Sequence, residues 1–198
     1  MPSLRECYTE PPSERARLKV QSEIDDHMRR FIALSPFVCV GSSSADGADV
    51  TPRGDQPGFV HVLDDHTLLI PDWPGNNRLD TLTNIEANPL VGLLFLIPGF
   101  SESLRVNGVA ETSLDPALLE RWTVNGRHPR SVLRVSVREA FLHCGKAILR
   151  SKLWEESAKV DRSALPTYGQ MLKDQINVRD TAEQIQASVE DGYKTRLY

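Results

Sequence analysis

The most informative stretch of the chain is Pro71-Asp72-Trp73-Pro74-Gly75-Asn76-Asn77-Arg78-Leu79-Asp80-Thr81-Leu82. An apolar run at 67–70 predicts a strand that leads into it, and its Pro, Gly and Asn residues predict a turn. The spacing after the turn predicts a helix from Arg78 to about position 86. Backbone N–H groups at a helix start, two amide side chains and a guanidinium suit a phosphate. The stretch therefore predicts a site for a phosphorylated ligand.

The placement of Arg78 supports a bound anion, but it also has another explanation. A cation at a helix start opposes the helix dipole, and an anion in front of the helix would remove that conflict. Alternatively, Arg78 is a surface residue that pairs with Asp80 or Asp72. Asn76 and Asn77 are either ligand contacts or turn residues, because Asn tolerates the left-handed conformation.

The composition is that of one ordinary globular domain. The chain has 198 residues, of which 40% are hydrophobic and 25% are charged, and this length is enough for a real core. The net charge of -4 disfavours a broad nucleic-acid surface. No apolar run approaches the roughly 20 residues of a membrane span, and the N-terminus has no apolar signal-peptide core. We therefore expect a cytoplasmic protein with neither a nucleic-acid nor a membrane partner.

Several common sites are disfavoured by the motifs that the sequence lacks. The three cysteines, Cys7, Cys39 and Cys144, are widely spaced without a CxxC pair, so we expect reduced thiols. The histidines show neither HExxH nor paired spacing, so no metal site is expected. The absence of GxSxG, GxGxxG and GxxxxGK[ST] disfavours a serine hydrolase and the commonest dinucleotide and nucleoside triphosphate sites.

The order of strand and helix signals predicts three regions: an N-terminal arm at 1–12, a domain at 13–165 and a C-terminal helical tail at 166–198. Within them, strands are predicted at 37–42, 48–54, 59–63, 67–70, 90–97, 103–110 and 131–142. The apolar strand at 90–97 is expected to be buried on both faces. Helices are predicted from 13 to 34, at 116–122, at 146–159 and within 168–198. Many short strands joined by hairpins predict a small, mainly β barrel with α decoration, an α+β fold.

The motifs also occur in a recognisable order. They are Thr51-Pro52-Arg53-Gly54-Asp55, Leu69-Ile70-Pro71-Asp72, Asn76-Asn77-Arg78, Asn88-Pro89, Pro98-Gly99, Leu104-Arg105-Val106-Asn107-Gly108 and His143-Cys144-Gly145-Lys146-Ala147. Over about residues 30–155 this order resembles the pyridoxamine 5'-phosphate oxidase-like flavoproteins, and within them the uncharacterised FMN-dependent subgroup. The resemblance implies an FMN-binding split β-barrel and a homodimer with one FMN in each of two clefts between the subunits. It also implies an oxidoreductase that transfers hydride to or from a small molecule.

The resemblance assigns cofactor contacts to particular residues. The strand residues Thr51, Pro52, Arg53 and Gly54 match a segment near the flavin, and Ile70, Pro71 and Asp72 match one along the ring and ribityl chain. The triplet Asn76-Asn77-Arg78 matches a Ser-Arg-Lys triplet on the phosphate. Ser103 takes the place of a flavin-contacting Gln, with Arg105 on the same strand, and Lys146 matches the second cleft wall. Arg53 could instead be a solvated turn charge or pair with Asp55, and Arg105 could face solvent.

Two departures from the family pattern limit the functional prediction. The triplet carries one cation where the family has two, so Arg53, Lys146 or a partner subunit is expected to help. The C-terminal Arg-x-His motif that grips the substrate phosphate does not occur in Lys194-Thr195-Arg196-Leu197-Tyr198, which disfavours pyridoxamine phosphate as the substrate. No residue stands out as a general acid or base. The alternative function is a non-catalytic carrier of FMN, a deazaflavin or haem.

Overall fold

A computed structural model describes residues 3–198 of the chain. The helices are α1 (Leu4–Cys7), α2 (Glu14–Leu18), α3 (Asp26–Leu34), α4 (Asp80–Ala87), α5 (Pro116–Leu119), α6 (Lys146–Ser151), α7 (Tyr168–Gln175) and α8 (Ala182–Thr195). The strands are β1 (Phe37–Ser44), β2 (Gly47–Gly54), β3 (His61–Asp64), β4 (Thr67–Asp72), β5 (Leu90–Leu96), β6 (Ser103–Ser113) and β7 (Ser131–His143). The predicted α+β fold, mainly β with helices around it, is confirmed.

All seven strands form one antiparallel sheet in the order β2-β1-β5-β6-β7-β4-β3. Arg53 near the end of the edge strand β2 nevertheless forms an ion pair with Asp72 on β4, at the far side of the sheet order. A contact between such distant strands requires the sheet to curl until β2 and β4 face each other. The curled sheet is therefore barrel-like, with an opening between these strands.

One hydrophobic core fills the curled sheet. Its most deeply buried side chains include Ile32 from α3, Val38, Leu68, Phe95, Leu104 and Val106. A smaller cluster of Leu69, Trp122 and Val132 lies on the outer side of β4 and β7, with Trp73, Leu118 and Leu119 packed against it. Alternating side chains of β4 thus serve two cores, which explains why residues 67–71 are all buried.

The prediction of one long N-terminal helix from 13 to 34 is wrong, because the helix is interrupted between Leu18 and Asp26. Gln21 exchanges two backbone hydrogen bonds with Ala140 of β7, which ties this segment to the sheet instead. The Asp25 side chain then caps α3 by accepting from the Met28 N–H at 2.8 Å. A bond to a distant strand therefore overrides local helix propensity.

Four other elements differ from the prediction in extent or burial. The helix expected from Arg78 begins at Asp80, and the helix expected at 146–159 ends at Ser151 and is followed by 3-10 turns at 156–158 and 162–164. The helix at 116–122 ends at Leu119. The strand β5 is not buried on both faces, because buried side chains alternate with half-buried ones. One face of β5 is therefore uncovered in the single chain.

Candidate functional site

A cleft of about 1000 Å³ lies at the opening between β2 and β4. Its wall combines one face of β2, the end of β4 with the turn that follows it, the start of α4 and the facing ends of β6 and β7. The polar lining includes Asp49, Thr51, Arg53, Asp72, Asn76, Asn77, Arg78, Asp80, Thr81, Glu86, Thr112, Arg130 and Ser131. These side chains come from both halves of the chain, so the curl of the sheet is what creates the cleft.

The period-two alternation of β2 places Asp49, Thr51 and Arg53 on the cleft face. The Thr51 hydroxyl lies 3.0 Å from the hydroxyl of Thr81 in the first turn of α4, so this contact ties the strand to the helix. Arg53 forms its ion pair with Asp72 in a half-buried setting, with the two side chains 22% and 15% exposed. This pair closes the floor of the cleft and replaces the Asp55 partner considered from sequence.

The turn before α4 has two residues in the left-handed conformation, Asn77 with φ 58° and Leu79 with φ 60°. The Asn76 side chain accepts from the Arg78 N–H at 3.1 Å, which stabilises the turn. Leu79 caps α4 without a side-chain hydrogen bond, so no side chain covers the first N–H groups of the helix. The turn and the helix start therefore retain donors that face the cleft.

Arg78 itself pairs with Asp80, with Nε 2.7 Å from Oδ2 and the arginine side chain 72% exposed. The hydrogen bond that Arg78 donates to Asp80 raises the pKa of Arg78, and the nearby Asp49 carboxylate adds to this effect. The argument that Arg78 needs a bound anion because it opposes the helix dipole is therefore wrong. A carboxylate in the first turn of α4 already offsets the positive end of the helix and the charge of Arg78.

Five buried polar atoms on residues that line the cleft have no hydrogen-bond partner among residues 3–198: Asp49 Oδ2, Arg53 Nε, Trp73 Nε1, Thr112 Oγ1 and Ser131 Oγ. Buried polar groups without a partner are costly, so these five atoms are candidates for contact with a ligand or with ordered water. Four of the five belong to groups that can donate, which fits a ligand rich in acceptors. FMN, with a phosphate, ribityl hydroxyls and ring carbonyls, is such a ligand.

The structure brings six of the predicted cofactor residues together and leaves seven outside the lining. Thr51, Arg53, Asp72, Asn76, Asn77 and Arg78 line the cleft. Pro52 and Gly54 lie on the outward face of β2, and Ile70 and Pro71 are buried within β4. Ser103 is buried, the Arg105 guanidinium lies 5.1 Å from the centre of the Phe141 ring, and Lys146 begins α6 with its side chain exposed. Cofactor contacts by these seven residues stay predictions.

Sequence reasoning missed Thr112, Arg130 and Ser131. Arg130 and Ser131 mark the start of a strand that was predicted correctly, but nothing in the local pattern links that strand end to the turn at 71–82. The register supplies the link, because Ser131 pairs with Asp72 and the Arg130 N–H donates to the Asp72 carbonyl at 2.9 Å. These residues are cleft residues because of strand pairing alone.

The C-terminal tail reaches the cleft at Trp73. The ring of Tyr198 contacts Trp73 edge-on at 5.1 Å between centroids, and its hydroxyl donates to Asp55 at 2.7 Å. That hydrogen bond, together with burial, raises the pKa of Tyr198 and keeps the phenol protonated at neutral pH. Arg127 donates to the Tyr198 carbonyl at 2.7 Å. The last residue of the tail therefore packs against Trp73, which follows Asp72 of the Arg53–Asp72 pair in the chain.

A second, smaller depression of about 380 Å³ lies around His61, away from the cleft. The imidazole of His61 stacks on Trp122 with 4.2 Å between ring centroids. Burial lowers the pKa of His61, and the nearby Arg121 charge lowers it further, so the ring is neutral at neutral pH.

Within residues 3–198, no group of three or more His, Cys, Asp or Glu side chains is placed to hold a metal ion. In the same part of the chain, no helix has both the length and the apolar character of a membrane span.

Comparisons with known proteins agree with this architecture. The sequence model of the pyridoxamine 5'-phosphate oxidase family matches residues 24–144. Two crystal structures of HupZ from Group A Streptococcus are 20% identical to the chain with a TM-score of 0.51 and cover 61% and 60% of it, which corresponds to 99% and 93% of their own chains. A proposed pyridoxamine 5'-phosphate oxidase from Lactobacillus delbrueckii is 20% identical with a TM-score of 0.48, covering 61% of this chain and 95% of its own. No curated protein sequence matches. The family match and the HupZ likeness confirm the predicted split-barrel fold.

Proposed function

Because this chain belongs to the pyridoxamine 5'-phosphate oxidase family, we propose that it is an FMN-dependent oxidoreductase whose cofactor binds in the cleft between β2 and β4. The observation that supports this most strongly is the set of unpartnered donors on the cleft residues Arg53, Trp73, Thr112 and Ser131. A ligand with many acceptor oxygens would satisfy them. When bound, FMN would supply hydride transfer to or from a small-molecule substrate.

The residues of the cleft would bind and orient the cofactor rather than transfer protons. The uncapped start of α4, with Asn76, Asn77 and Arg78, would hold the phosphate. Arg53, fixed by Asp72, would place its unpartnered Nε–H against an acceptor of the ligand. Trp73 would present an aromatic surface with its own unpartnered N–H. We assign no catalytic acid or base.

Haem, a deazaflavin and a purely binding role are the alternatives. The side chains that line the cleft fit these ligands to different degrees. None of its lining residues is a His, Cys or Met, the side chains that usually ligate haem iron. A haem in this cleft would therefore need an axial ligand from elsewhere. A deazaflavin and FMN share the acceptors discussed above, so identification of the ligand must separate them.

The experiment that tests the proposal is an absorbance spectrum of freshly purified protein, followed by mass spectrometry of the released ligand. We expect a flavin spectrum and the mass of FMN. Protein that stays colourless after incubation with FMN and desalting would refute the proposal. Turnover of bound flavin between a nicotinamide and a small acceptor would separate an enzyme from a carrier.

We also propose that the cofactor cleft is completed by a second copy of the chain. The outward face of β2, β1, β5 and β6 carries an apolar strip that includes Val50, Cys39 and Leu94, and Val50 is 67% exposed. This strip borders a groove of about 750 Å³ that includes Asp49, which also lines the cofactor cleft. A partner seated on this face would reach the cleft, and the contacts expected from Arg105 and Lys146 would then be made across the interface.

Cys39→Glu is expected to convert the dimer to a monomer, because it places a carboxylate in the apolar strip between Pro52 and Leu94 and leaves it unpaired on association. Sedimentation velocity at micromolar concentration measures the change. Arg30→Glu is the control, since Arg30 is exposed on α3 away from the strip. A wild-type protein that sediments as a monomer with flavin bound would contradict a shared cleft.

Arg78→Ala is expected to weaken FMN binding about tenfold, because it removes the cation of the turn at Asn76, Asn77 and Arg78 that would hold the phosphate. Fluorescence titration of FMN into flavin-free protein gives the dissociation constant. Arg30→Ala removes an exposed arginine outside the cleft and should leave the affinity unchanged. Equal affinities for Arg78→Ala and wild type would mean that the phosphate lies elsewhere.

A further inference from the structure

The opening between β2 and β4 is crossed by a second link besides the Arg53–Asp72 pair. Asp55 follows the end of β2, and Trp73 follows the end of β4. Tyr198 contacts both, because its hydroxyl donates to Asp55 Oδ1 at 2.7 Å and its ring lies edge-on to Trp73, with 5.1 Å between centroids. Since β2 and β4 are not neighbours in the sheet, a side chain from the tail joins them where both strands end.

The main chain of Tyr198 is held as well as its side chain. Arg127 Nη1 donates to the main-chain oxygen of Tyr198 at 2.7 Å, and Arg127 belongs to a tight turn that is closed by its bridge with Val124. The hydrogen bond to Asp55 is of the stronger kind because its acceptor is a carboxylate, and the edge-on aromatic contact with Trp73 adds to it. Tyr198 is therefore fixed by three segments that are far apart in the sequence.

The two helices that precede Tyr198, α7 and α8, form a C-terminal hairpin that is hydrogen-bonded to the barrel only through this residue. Every hydrogen bond that joins residues 167–198 to residues 3–165 involves Tyr198. The helices pack mainly on each other, and the Gly169 N–H donates to Gln186 Oε1 at 2.8 Å between them. Neither hydrophobic cluster of the barrel includes a residue of the hairpin. Release of Tyr198 would therefore free the hairpin without opening the core.

Trp73 is the residue through which this attachment reaches the cleft. Its side chain lines the cleft, whereas Tyr198 lies outside the lining. Trp73 is half-buried and packs against the smaller cluster around Trp122, but the turn that follows it at 74–79 is exposed. The contact with Tyr198 therefore restrains the indole at the point where the chain leaves the core for this exposed turn.

We propose that Tyr198 is a positioning residue that latches the C-terminal hairpin across the opening and fixes Trp73 as a wall of the cleft. While Tyr198 is bound to Asp55, the indole is held where it would meet a ligand. When Tyr198 is released, Trp73 and the turn after it are free to move, and the ligand can enter or leave. This inference rests on the proposed function only for the identity of that ligand as FMN. The hairpin therefore controls ligand exchange and takes no part in the chemistry.

Hydrogen–deuterium exchange of the flavin-free protein, measured by mass spectrometry, tests the latch without any ligand. Segments 53–59 and 124–130 touch Tyr198 and contain amides that are hydrogen-bonded within the barrel. We expect Tyr198→Ala to raise their exchange rates about tenfold, because it removes a hydrogen bond to a charged group. Tyr198→Phe keeps the ring and should give a smaller increase. Tyr193→Ala is the matched control, since it removes a tyrosine of α8 that is 63% exposed.

The rate of FMN release measures the effect on the cleft. Loaded protein is diluted, and the change in flavin fluorescence follows release. We expect Tyr198→Ala to speed release about tenfold and Tyr193→Ala to leave it unchanged. Because Tyr198 acts through Trp73, the effect of Tyr198→Ala should disappear in the Trp73→Leu protein, and a double-mutant cycle measures this coupling.

Equal exchange in wild type and Tyr198→Ala would overturn the latch, and so would equal rates of FMN release. An effect on release that persists undiminished in the Trp73→Leu protein would show that Tyr198 stabilises the barrel without positioning Trp73. If Tyr198→Ala does not fold, Tyr198→Phe provides the same comparisons. If the protein holds no FMN at all, the proposed function fails, and the exchange experiment on the flavin-free protein still decides whether the latch exists.

Discussion

Asp72→Asn is expected to lower the free energy of unfolding by about 2–3 kcal/mol and to abolish retention of FMN. The change keeps the shape of the side chain but leaves the Arg53 guanidinium half-buried without a counter-charge. Breaking a fully buried ion pair costs about 3–5 kcal/mol, and the remaining exposure of 22% and 15% for the two side chains lowers this figure. Urea unfolding gives the stability, and flavin absorbance after desalting gives retention.

The loss of FMN follows from the place of the pair in the cleft. Arg53 and Asp72 connect β2 to β4 across the opening of the curled sheet, so an unpaired Arg53 would turn toward solvent and withdraw its Nε from the ligand. Arg53→Met combined with Asp72→Asn should recover part of the stability, since the uncompensated charge is gone. The same double variant should not recover FMN, because the donor is also gone.

Asp80→Asn is the matched control for this prediction. It makes the same chemical change at the other ion pair of the cleft, which is largely exposed, so its effect on stability should lie between about 0 and 1 kcal/mol. If Asp72→Asn and Asp80→Asn had equal effects on stability, the Arg53–Asp72 pair would not be the link that holds β2 to β4.

Much of the sheet could be predicted because its signals are local. The Asp46-Gly47 pair between the predicted strands at 37–42 and 48–54 is a typical hairpin signal, and Ser44 and Gly47 are the last pair of the β1–β2 ladder. The alternation of β6 and β7 likewise identified both strands. The turn at 71–82 was found because Pro, Gly and Asn each favour particular backbone conformations, and Asn77 adopts the left-handed one.

The cleft as a whole could not be predicted, because it depends on contacts between distant segments. The resemblance predicted that Arg53 and Asp72 both contact the cofactor, but their ion pair requires the curl of the complete sheet. Arg130 and Ser131 belong to the cleft through the register of β7 against β4. The broken N-terminal helix has the same kind of cause, since Gln21 bonds to a strand more than a hundred residues away.

The uncovered face of β5 illustrates a different limit. A continuous apolar run normally indicates a strand with both faces buried, yet Leu90 is 49% exposed and β5 alternates. The apolar residues on the second face have no partner within the described chain. The proposed dimer would cover them, and the prediction made from sequence would then describe the assembled protein rather than the single chain.

Gly108→Ala is expected to destabilise the protein by about 3 kcal/mol, the upper end for overpacking, because the clash is with backbone. A Cβ at position 108 would collide with the Ser136 carbonyl oxygen and lie 2.9 Å from a methyl group of Val135. A carbonyl within the β6–β7 ladder cannot move without separating the two strands. In a domain of this size, we expect a fall of about 6–12 °C in the melting temperature.

The same substitution should also impair the cleft, because Gly108 lies at a shift in strand register. Asn107 pairs with Glu139 and Gly108 pairs with Val137, so Arg138 is the extra residue of a bulge. A shift of one residue reverses which face each side chain occupies. The bulge therefore sets which residues of β7 lie opposite the end of β6, and with them the position of Ser131 beside Thr112.

Gly75→Ala provides the control, since no heavy atom lies within 4 Å of the added Cβ and the backbone needs no special conformation there. Its melting temperature, measured by circular dichroism, should match that of wild type. FMN titration at a temperature where Gly108→Ala is still folded separates the two effects. A Gly108→Ala protein that is less stable yet binds FMN normally would show that the bulge stabilises the sheet without setting the position of Ser131.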